Sequence, residues 1–238
     1  MKVTFIEHSG FCVEFEKTVL IFDYYKGEFP EMPREKEIYV FSSHSHPDHF
    51  CQKIFELEKK YPNVKYILSD DIAVKASENI IKIREHENKM IGSVQVETLK
   101  SNDEGVAFLV TAEGRTIYHA GDLNWWYWNG EPEDDNEFMV RFYKEEVARL
   151  KGREIDLAFL LLDPRQEDKY CKGINYFIEE IQPKAVFPMH AFGEYKISRH
   201  YLNCDDGQAY QASSERSQRP EKSLSYEGKE INAGSCVS

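Results

Sequence analysis

The stretch His44-Ser45-His46-Pro47-Asp48-His49 contains four side chains that can bind a divalent metal ion. His44 and His46 are two positions apart, so on an extended backbone both rings leave the same side. The proline that follows has a fixed φ and turns the chain before Asp48 and His49. This spacing suits two adjacent ions, one held by each pair, whereas accidental histidines in a polar loop fit it less well. Imidazole and carboxylate ligands together suit zinc, iron or manganese.

The order His-Ser-His-Pro-Asp-His resembles the His-x-His-x-Asp-His signature of the metallo-β-lactamase fold. Ala120-Gly121-Asp122 stands where that fold has a Gly-Asp whose carboxylate bridges two metals and lowers the repulsion between them. Pro188-Met189-His190 stands where that fold has the last histidine of the second site. The resemblance implies one or two divalent ions, with zinc favoured and manganese or iron as alternatives. The implied ligands are His44, His46, Asp48, His49, Asp122 and His190.

Further motifs relate the chain to one branch of this fold. The start Ser9-Gly10-Phe11 and the Ala-Gly-Asp motif make it more similar to the L-ascorbate-6-phosphate lactonase-like branch than to true β-lactamases. The resemblance covers roughly the first two hundred residues. It implies a four-layer αββα sandwich in the α/β (α+β) class.

The first metal site departs from the resembled pattern. The loop between the strands predicted over residues 94–99 and 106–110 usually supplies a third histidine, and here it contains none. Asp103 is the candidate replacement, with Ser101 and Asn102 as less favoured ones. The alternative is that Asp103 is only solvated. In that case the first metal is weakly bound, absent, or completed by water and substrate.

Two aspartates at predicted strand ends are candidates for supporting the ligands. Asp23 follows the strand predicted over residues 19–22, where the resembled fold has an aspartate that holds the metal loop. An aspartate that merely starts a turn is the alternative. Asp163 follows the strand predicted over residues 155–162 and has the same kind of position.

Two other histidines and an aromatic cluster are candidates for the walls of the site. His8 is placed where it can line the site, and an ordinary core or surface histidine is the alternative. His119 lies on a strand three positions before Asp122, which favours a supporting or buried role over a metal ligand. Trp125 and Trp126 follow that aspartate closely, so we expect them to wall a substrate pocket. A packed loop core is the alternative.

Short apolar runs alternate with helical patterns, which suits two packed sheets with helices outside. The predicted strands are residues 3–6, 11–15, 19–22, 38–41, 64–68, 94–99, 106–110, 116–119, 155–162 and 185–187. The predicted helices are residues 51–60, 72–78, 136–151 and 171–182, and residues 80–89 are ambiguous. We expect one domain over residues 1–238. Its residues 203–238 form a polar C-terminal extension or tail, with a short strand at 224–226 as one option.

Composition and charge limit the partners. The chain has 238 residues and a net charge of −12, which disfavours nucleic acid. No apolar run approaches the length of a membrane span, and the N-terminus does not read as a signal peptide, so a cytoplasmic protein is expected. The five cysteines are scattered and suggest neither a disulfide framework nor a thiolate zinc site. The expected partner is a small-molecule substrate, for which a negative charge is permitted; an oligomer is permitted but not required.

The resemblance implies a metal-dependent hydrolase. A divalent metal lowers the pKa of bound water and so supplies hydroxide at working pH. We therefore expect attack on an ester, lactone or phosphodiester bond, with Asp48 as the catalytic residue that accepts a proton from the water. Two alternatives stay open: an iron-dependent oxidoreductase on the same fold, and a non-catalytic protein that binds metal or a small molecule. The missing histidine near Asp103 supports the second of these.

Overall fold

Short apolar runs form two six-stranded β-sheets in the computed structural model, which describes residues 1–203 and residue 207. The first sheet contains β1 (Lys2–Glu7), β2 (Gly10–Glu14), β3 (Thr18–Phe22), β4 (Glu37–Ser42), β5 (Val64–Ser69) and β6 (Ile80–Ile83). These strands lie side by side in chain order. They are antiparallel from β1 to β3 and parallel from β3 to β6.

The second sheet is built from the later strands in reverse spatial order. It contains β7 (Asn88–Ile91), β8 (Val94–Lys100), β9 (Val106–Ala112), β10 (Arg115–His119), β11 (Leu157–Leu161) and β12 (Val186–Met189). The strands are antiparallel from β7 to β10 and parallel from β10 to β12. All ten predicted strands are present, and no strand end differs from its prediction by more than two residues.

Aromatic side chains join the two sheets face to face. The ring of Phe11 in β2 stacks on Phe159 in β11, with the centroids 4.1 Å apart. Phe22 in β3 stacks on His119 in β10 at 5.0 Å with an interplanar angle of 5°. His119 is therefore buried between the sheets. The apolar area that these rings remove from water holds the sheets together.

Helices cover the outer face of the second sheet. These are α1 (Glu133–Ala148) and α2 (Lys172–Ile181), and α3 (Lys196–Asn203) follows later. Tyr118 in β10 stacks on Phe177 of α2 at 4.7 Å, while its neighbour His119 faces the first sheet. Neighbouring residues of a strand point to opposite faces, so α2 lies on the side away from the first sheet.

The outer face of the first sheet has a thinner cover. Val19 and Ile21 of β3 pack there with Ile54 and Leu57, which belong to a 3₁₀ helix over Gln52–Lys59. The four-layer αββα arrangement is confirmed, but this outer layer is 3₁₀ helix and loop. The helix predicted over residues 51–60 is thus a 3₁₀ helix, and Cys51 before it offers no capping hydrogen bond.

Two other segments differ from the predictions. Residues 72–78 form no helix, since Lys82 Nζ donates to the carbonyl oxygens of Ser69 and Ile72, which occupies the local acceptors. The ambiguous residues 80–89 supply β6 to one sheet and the start of β7 to the other. The chain crosses between the sheets near His86, whose φ is 58°.

The remaining predicted elements concern the helices and the C-terminal part. The helices predicted over residues 136–151 and 171–182 are present, and α3 was not predicted. The short strand proposed at residues 224–226, and nearly all of the extension over 203–238, lie outside the described residues. Among the helices of the described chain, none has the length and apolar character that crossing a membrane requires.

Phe11 and Phe159 stack between the sheets, so truncating one of these rings should cause a large loss of stability. Phe159→Ala should lower the free energy of unfolding by about 3–5 kcal/mol, because the buried ring leaves a cavity between two sheets. Urea denaturation followed by circular dichroism measures this. Phe138→Ala is the matched control, since that ring is 51% exposed and its loss should change the value by under about 0.5 kcal/mol. Equal effects of the two substitutions would contradict the packing.

Candidate metal centre

The predicted ligands come together where strands of both sheets end. His44 follows β4, Asp122 follows β10 and His190 follows β12. Asp103 lies in the loop between β8 and β9, and His8 follows β1. Loops beyond strand ends are a usual place for ligand sites in α/β folds. Both sheets therefore contribute to one site.

Three residues at these strand ends have left-handed backbone conformations. The φ angles are 55° at His8, 42° at Asp23 and 67° at His190. Non-glycine residues rarely adopt this region, and it costs of order 1–3 kcal/mol per residue. Such strain is typical of functional sites, where it aims a side chain that a relaxed turn would point elsewhere.

One group of side chains, here called the buried cluster, consists of His8, Asp48, His49 and His190. Their ligand atoms lie within 4.8 Å of one another. Asp48 Oδ2 is 3.4 Å from His8 Nε2 and 4.0 Å from His49 Nε2. The three histidines are buried, and Asp48 is partly exposed. Three imidazole nitrogens and a carboxylate oxygen form a donor set that zinc binds.

A second group, here called the open cluster, consists of His44, His46, Asp103 and Asp122. His44 Nε2 lies 3.0 Å from His46 Nδ1 and 3.6 Å from Asp122 Oδ2. His46 Nδ1 lies 3.9 Å from Asp103 Oδ2. The side chains of His46 and Asp103 are 41% and 42% exposed. This cluster therefore faces solvent, unlike its neighbour.

Asp122 lies between the two clusters. Its Oδ2 faces His44 of the open cluster, while its Oδ1 is 3.2 Å from His49 Nε2 and 3.2 Å from His190 Nε2 in the buried cluster. One carboxylate thus reaches the donors of both groups. This is the position that a bridging ligand needs.

Unpaired buried atoms show that the buried cluster fits a cation. Four buried side-chain atoms here have no hydrogen-bond partner: His8 Nε2, His49 Nε2, Asp122 Oδ1 and His190 Nε2. A buried polar atom left unpaired costs about 1–3 kcal/mol, so four in one place are expensive. A divalent ion would satisfy all of them at once. The residues present therefore fit the metal that the sequence predicts.

Asp23 orients a histidine of each cluster, His49 directly and His44 through Ser43. Its Oδ2 lies 2.8 Å from His49 Nδ1, which donates to it. Ser43 donates to Asp23 through its backbone N–H at 2.7 Å and its hydroxyl at 2.6 Å. Ser43 Oγ then accepts from His44 Nδ1 at 3.0 Å. With both Nδ1 atoms engaged, the Nε2 lone pairs of His44 and His49 point into the site.

Asp163 does the same for His190. Its Oδ2 lies 3.1 Å from His190 Nδ1, and its side chain is fully buried. Each of the two aspartates thus contacts the Nδ1 atom of a histidine, which is the position of a supporting residue. His119 has a structural part instead, since its Nε2 donates to the Ser9 carbonyl oxygen at 2.9 Å and its Nδ1 accepts from the Gly121 N–H.

The charges of the centre are set by burial and by close pairs. Burial and the nearby His49 lower the pKa of His44 to about 4, so its ring is neutral near pH 7. Burial also lowers the pKa of His190, but Asp122 and Asp163 outweigh it and raise the value to about 9. The contact with His8 holds the pKa of Asp48 well below its usual range. The pKa of Asp122 is also lowered by His190 and His49 despite its burial, so Asp48 and Asp122 are ionised, whereas burial raises the pKa of Asp103.

The loop between β8 and β9 places Asp103 at the open cluster. Ser101 Oγ accepts from the Asp103 N–H at 3.1 Å, and Asn102 Nδ2 donates to the Asn124 carbonyl oxygen. Of the three candidates, Asp103 is the one whose side chain reaches His46. Gly105 allows this approach, because a Cβ there would lie 2.0 Å from the Ser43 carbonyl oxygen.

The aromatic cluster is divided between two surfaces. Trp126 faces the centre, with its ring 6.1 Å from that of His190 and its Nε1 donating to the Asp122 carbonyl oxygen. Trp125 points away, against Tyr143 and Tyr176. It lines a cavity of about 620 Å³ beside α1, which none of the predicted ligands lines. The structure therefore places Trp126 beside the predicted ligands and Trp125 beside the cavity at α1, because the two side chains point in opposite directions.

Sequence reasoning missed several neighbours of the centre. His8 is predicted to line the site, but its place among the possible donors of the buried cluster is not. Phe192 packs 4.5 Å from the His8 ring, and Arg165 Nε donates to Asp163 at 3.0 Å. Phe192 and Arg165 each lie two positions beyond a predicted site residue. That short spacing is a local signal that points to them.

Known proteins share this architecture. A family model described as a β-lactamase superfamily domain matches residues 2–126, more than half of the chain. A UPF0173 metal-dependent hydrolase from Opitutus terrae is 25% identical over 221 residues, or 83% of this chain and 87% of that protein. One from Thermococcus kodakarensis is 28% identical over 218 residues, or 80% and 84%. Igni18, a metallo hydrolase from Ignicoccus hospitalis, has the same fold with a TM-score of 0.58 at 16% identity, covering 91% of both chains.

Removing the charge of Asp23 should weaken metal binding, although Asp23 belongs to neither cluster of candidate ligands. Asp23→Asn keeps the shape but loses the carboxylate that orients two histidines, so we expect affinity to fall by about 10- to 100-fold. Competition with a chromophoric chelator measures the dissociation constant. Asp156→Asn is the matched control, since Asp156 is also largely buried but pairs with Arg115 and Lys184. Unchanged affinity in Asp23→Asn would contradict the supporting role.

Loss of a donor from the open cluster should change the amount of metal bound per chain. Asp103→Ala should reduce the metal bound per chain, because the open cluster then keeps only His44, His46 and Asp122. Elemental analysis after gel filtration measures metal per chain. Glu104→Ala is the neighbouring control, since Glu104 Oε2 lies 3.6 Å from His46 Nε2 but outside the cluster. Loss of metal in Glu104→Ala but not in Asp103→Ala would reassign the ligand.

Proposed function

Because the chain belongs to the β-lactamase superfamily and is a metal-dependent hydrolase, we propose that it cleaves an ester, lactone or phosphodiester bond of a small molecule. The likeness of its Ser9-Gly10-Phe11 start to the L-ascorbate-6-phosphate lactonase-like branch is a reason to include lactones. The reaction takes place over the buried and open clusters.

The observation that carries this proposal is the set of unpaired buried atoms around Asp122. His49 Nε2 and His190 Nε2 are aimed at one carboxylate oxygen without completing a hydrogen bond. A merely structural polar group would be paired, because burial makes an unmet hydrogen bond costly. Supported by buried aspartates, these atoms are organised for an ion that the reaction needs.

A bound divalent ion would lower the pKa of water and offset the negative charge that develops on the attacked group. The protein's own residues position the reactants. Asp122 keeps the two clusters at a fixed separation. Asp48 stays ionised at neutral pH and is partly open to solvent, so it can accept a hydrogen bond from the attacking water and direct it. Trp126 closes one side of the centre against water.

We propose that zinc occupies the buried cluster, where three imidazoles dominate. The open cluster has two imidazoles and two carboxylates, a harder donor set that also suits manganese or iron. The non-catalytic alternative drew its support from the missing histidine. Asp103 now stands beside His46, which weakens that support.

Substitution of a buried ligand tests the proposal. His190→Ala should lose metal and lower kcat/KM by at least about 100-fold, more than supporting residues usually cause. The measurements are metal per chain and hydrolysis of 4-nitrophenyl acetate, δ-valerolactone and bis(4-nitrophenyl) phosphate. His86→Ala is the control, because the His86 ring pairs with Glu146 and with neither cluster.

The outcomes separate the alternatives. Hydrolysis that survives complete removal of metal, or that is equal in His190→Ala and the native protein, contradicts the hydrolase site. Bound iron with dioxygen-dependent turnover and no hydrolysis of any probe favours the oxidoreductase instead.

A further inference from the structure

Arg165 lies beside the metal centre and is tied to it through one buried carboxylate. Its Nε lies 3.0 Å from both oxygens of Asp163, and its backbone N–H donates to Asp163 Oδ1 at 2.9 Å. The same carboxylate accepts from His190 Nδ1 at 3.1 Å. The guanidinium therefore has a fixed position relative to a candidate metal ligand.

The guanidinium of Arg165 lies over two aromatic rings. Its central carbon lies 4.0 Å from the Phe192 ring centroid and 5.7 Å from that of Trp128. Phe192 in turn packs edge-on against His8 at 4.5 Å and His190 at 4.9 Å. Cation–π contacts of this kind fix the plane of an arginine. The group is thus oriented at the mouth of the site.

The outer part of Arg165 is left available. Asp163 engages Nε and Nη2, while within residues 1–203 no acceptor bonds Nη1. The side chain is 48% exposed. A guanidinium has five N–H donors in a planar fork that matches a carboxylate or a phosphate. Arg165 therefore has donors remaining for a second anion.

Phe192 is unusual for a large apolar ring beside a metal centre. It is 44% exposed, and its backbone is left-handed with a φ of 48°. Strain and exposure together at a site rim are typical of a residue that contacts a ligand. Phe192 and Arg165 thus form a joint surface with an apolar face and a cationic edge.

Charge on the opposite side of the centre gives the substrate a direction. Asp103 and Glu104 lie beside His46 at the open cluster, and both are more than two-fifths exposed. Their carboxylates repel an anion, and Arg165 attracts one. A negatively charged substrate would therefore place its anionic group towards Arg165 and away from the loop between β8 and β9.

We propose that Arg165, backed by Phe192, binds an anionic group of the substrate that is separate from the bond being cleaved. The substrate class is then a small ester, lactone or phosphodiester that also carries a carboxylate or phosphate. This inference rests on the proposed hydrolase function. Its alternative is that Arg165 only neutralises Asp163.

A pair of esters with one leaving group tests the proposal. We compare 4-nitrophenyl acetate with 4-nitrophenyl hemisuccinate, which adds a remote carboxylate, on the metal-loaded full chain. The native protein should prefer the hemisuccinate in kcat/KM by about 10- to 100-fold, the usual strength of a charge-assisted pair. In Arg165→Gln the ratio of the two kcat/KM values should fall to about one, chiefly through KM of the hemisuccinate. Arg165→Lys should retain part of the preference, because it keeps the charge but loses the fork.

A matched arginine and a binding measurement complete the test. Arg115→Gln should keep the native ratio, since Arg115 is equally exposed and paired with Asp156, away from both clusters. Isothermal titration of phenylphosphonate should show a dissociation constant at least about 10-fold higher in Arg165→Gln than in Arg115→Gln. Metal per chain is measured in each variant.

The results distinguish failure of the anion site from failure of the hydrolase function. If the esters are hydrolysed and Arg165→Gln lowers both equally, Arg165 only supports Asp163 and the proposal is overturned, while the hydrolase stands. If no probe is hydrolysed but phenylphosphonate binding depends on Arg165, the anion site stands and the hydrolase fails. Unchanged phenylphosphonate binding in Arg165→Gln with native metal content also overturns the proposal.

Discussion

The buried carboxylate of Asp23 is the contact on which the centre depends. A buried charge is costly unless it is fully hydrogen-bonded, and Asp23 meets that condition through Ser43 and His49. Burial raises its pKa, but His119 and His49 outweigh this and lower it, so the carboxylate stays ionised. Because Ser43 passes the constraint on to His44, one charge fixes the tautomers of a histidine in each cluster. Without that fixed point, the loop after β4 would not aim the Nε2 atoms of His44 and His49 into the site.

Buried aspartates support histidines of the metal centre, but the two clusters differ in their exposure to solvent. Asp23 and Asp163 each accept a hydrogen bond from a histidine of the buried cluster, and the three histidines of that cluster are buried. In the open cluster Ser43 supports His44, whereas the side chains of His46 and Asp103 are 41% and 42% exposed. The two sites should therefore differ in how tightly they hold an ion. The tighter one has a fixed structural frame, and the looser one has room for substrate atoms among its donors.

The sequence predicts the strands and most donors, since both are local. Alternating apolar runs set β1 to β5, and the spacing of His44, His46 and His49 is readable without a fold. Long-range features were not accessible. Lys82 donates to the carbonyl oxygens of Ser69 and Ile72, and the predicted helix over residues 72–78 is irregular chain instead. His8 joins the buried cluster because β1 lies at the same edge as β12, and its position in the sequence indicates that it can line the site but not that it is a donor.

The candidate ligands come from both sheets, so a bound ion would connect the two sheets. His8 and His49 belong to loops of the first sheet, while Asp122 and His190 belong to loops of the second. An ion held by these residues would link the two sheets at this edge, while Phe11 and Phe159 pack between them in the core. The free energy of packing the two sheets together and that of holding the ion are then coupled. A change in the packing between the sheets, far from any ligand, is felt as a change in metal affinity.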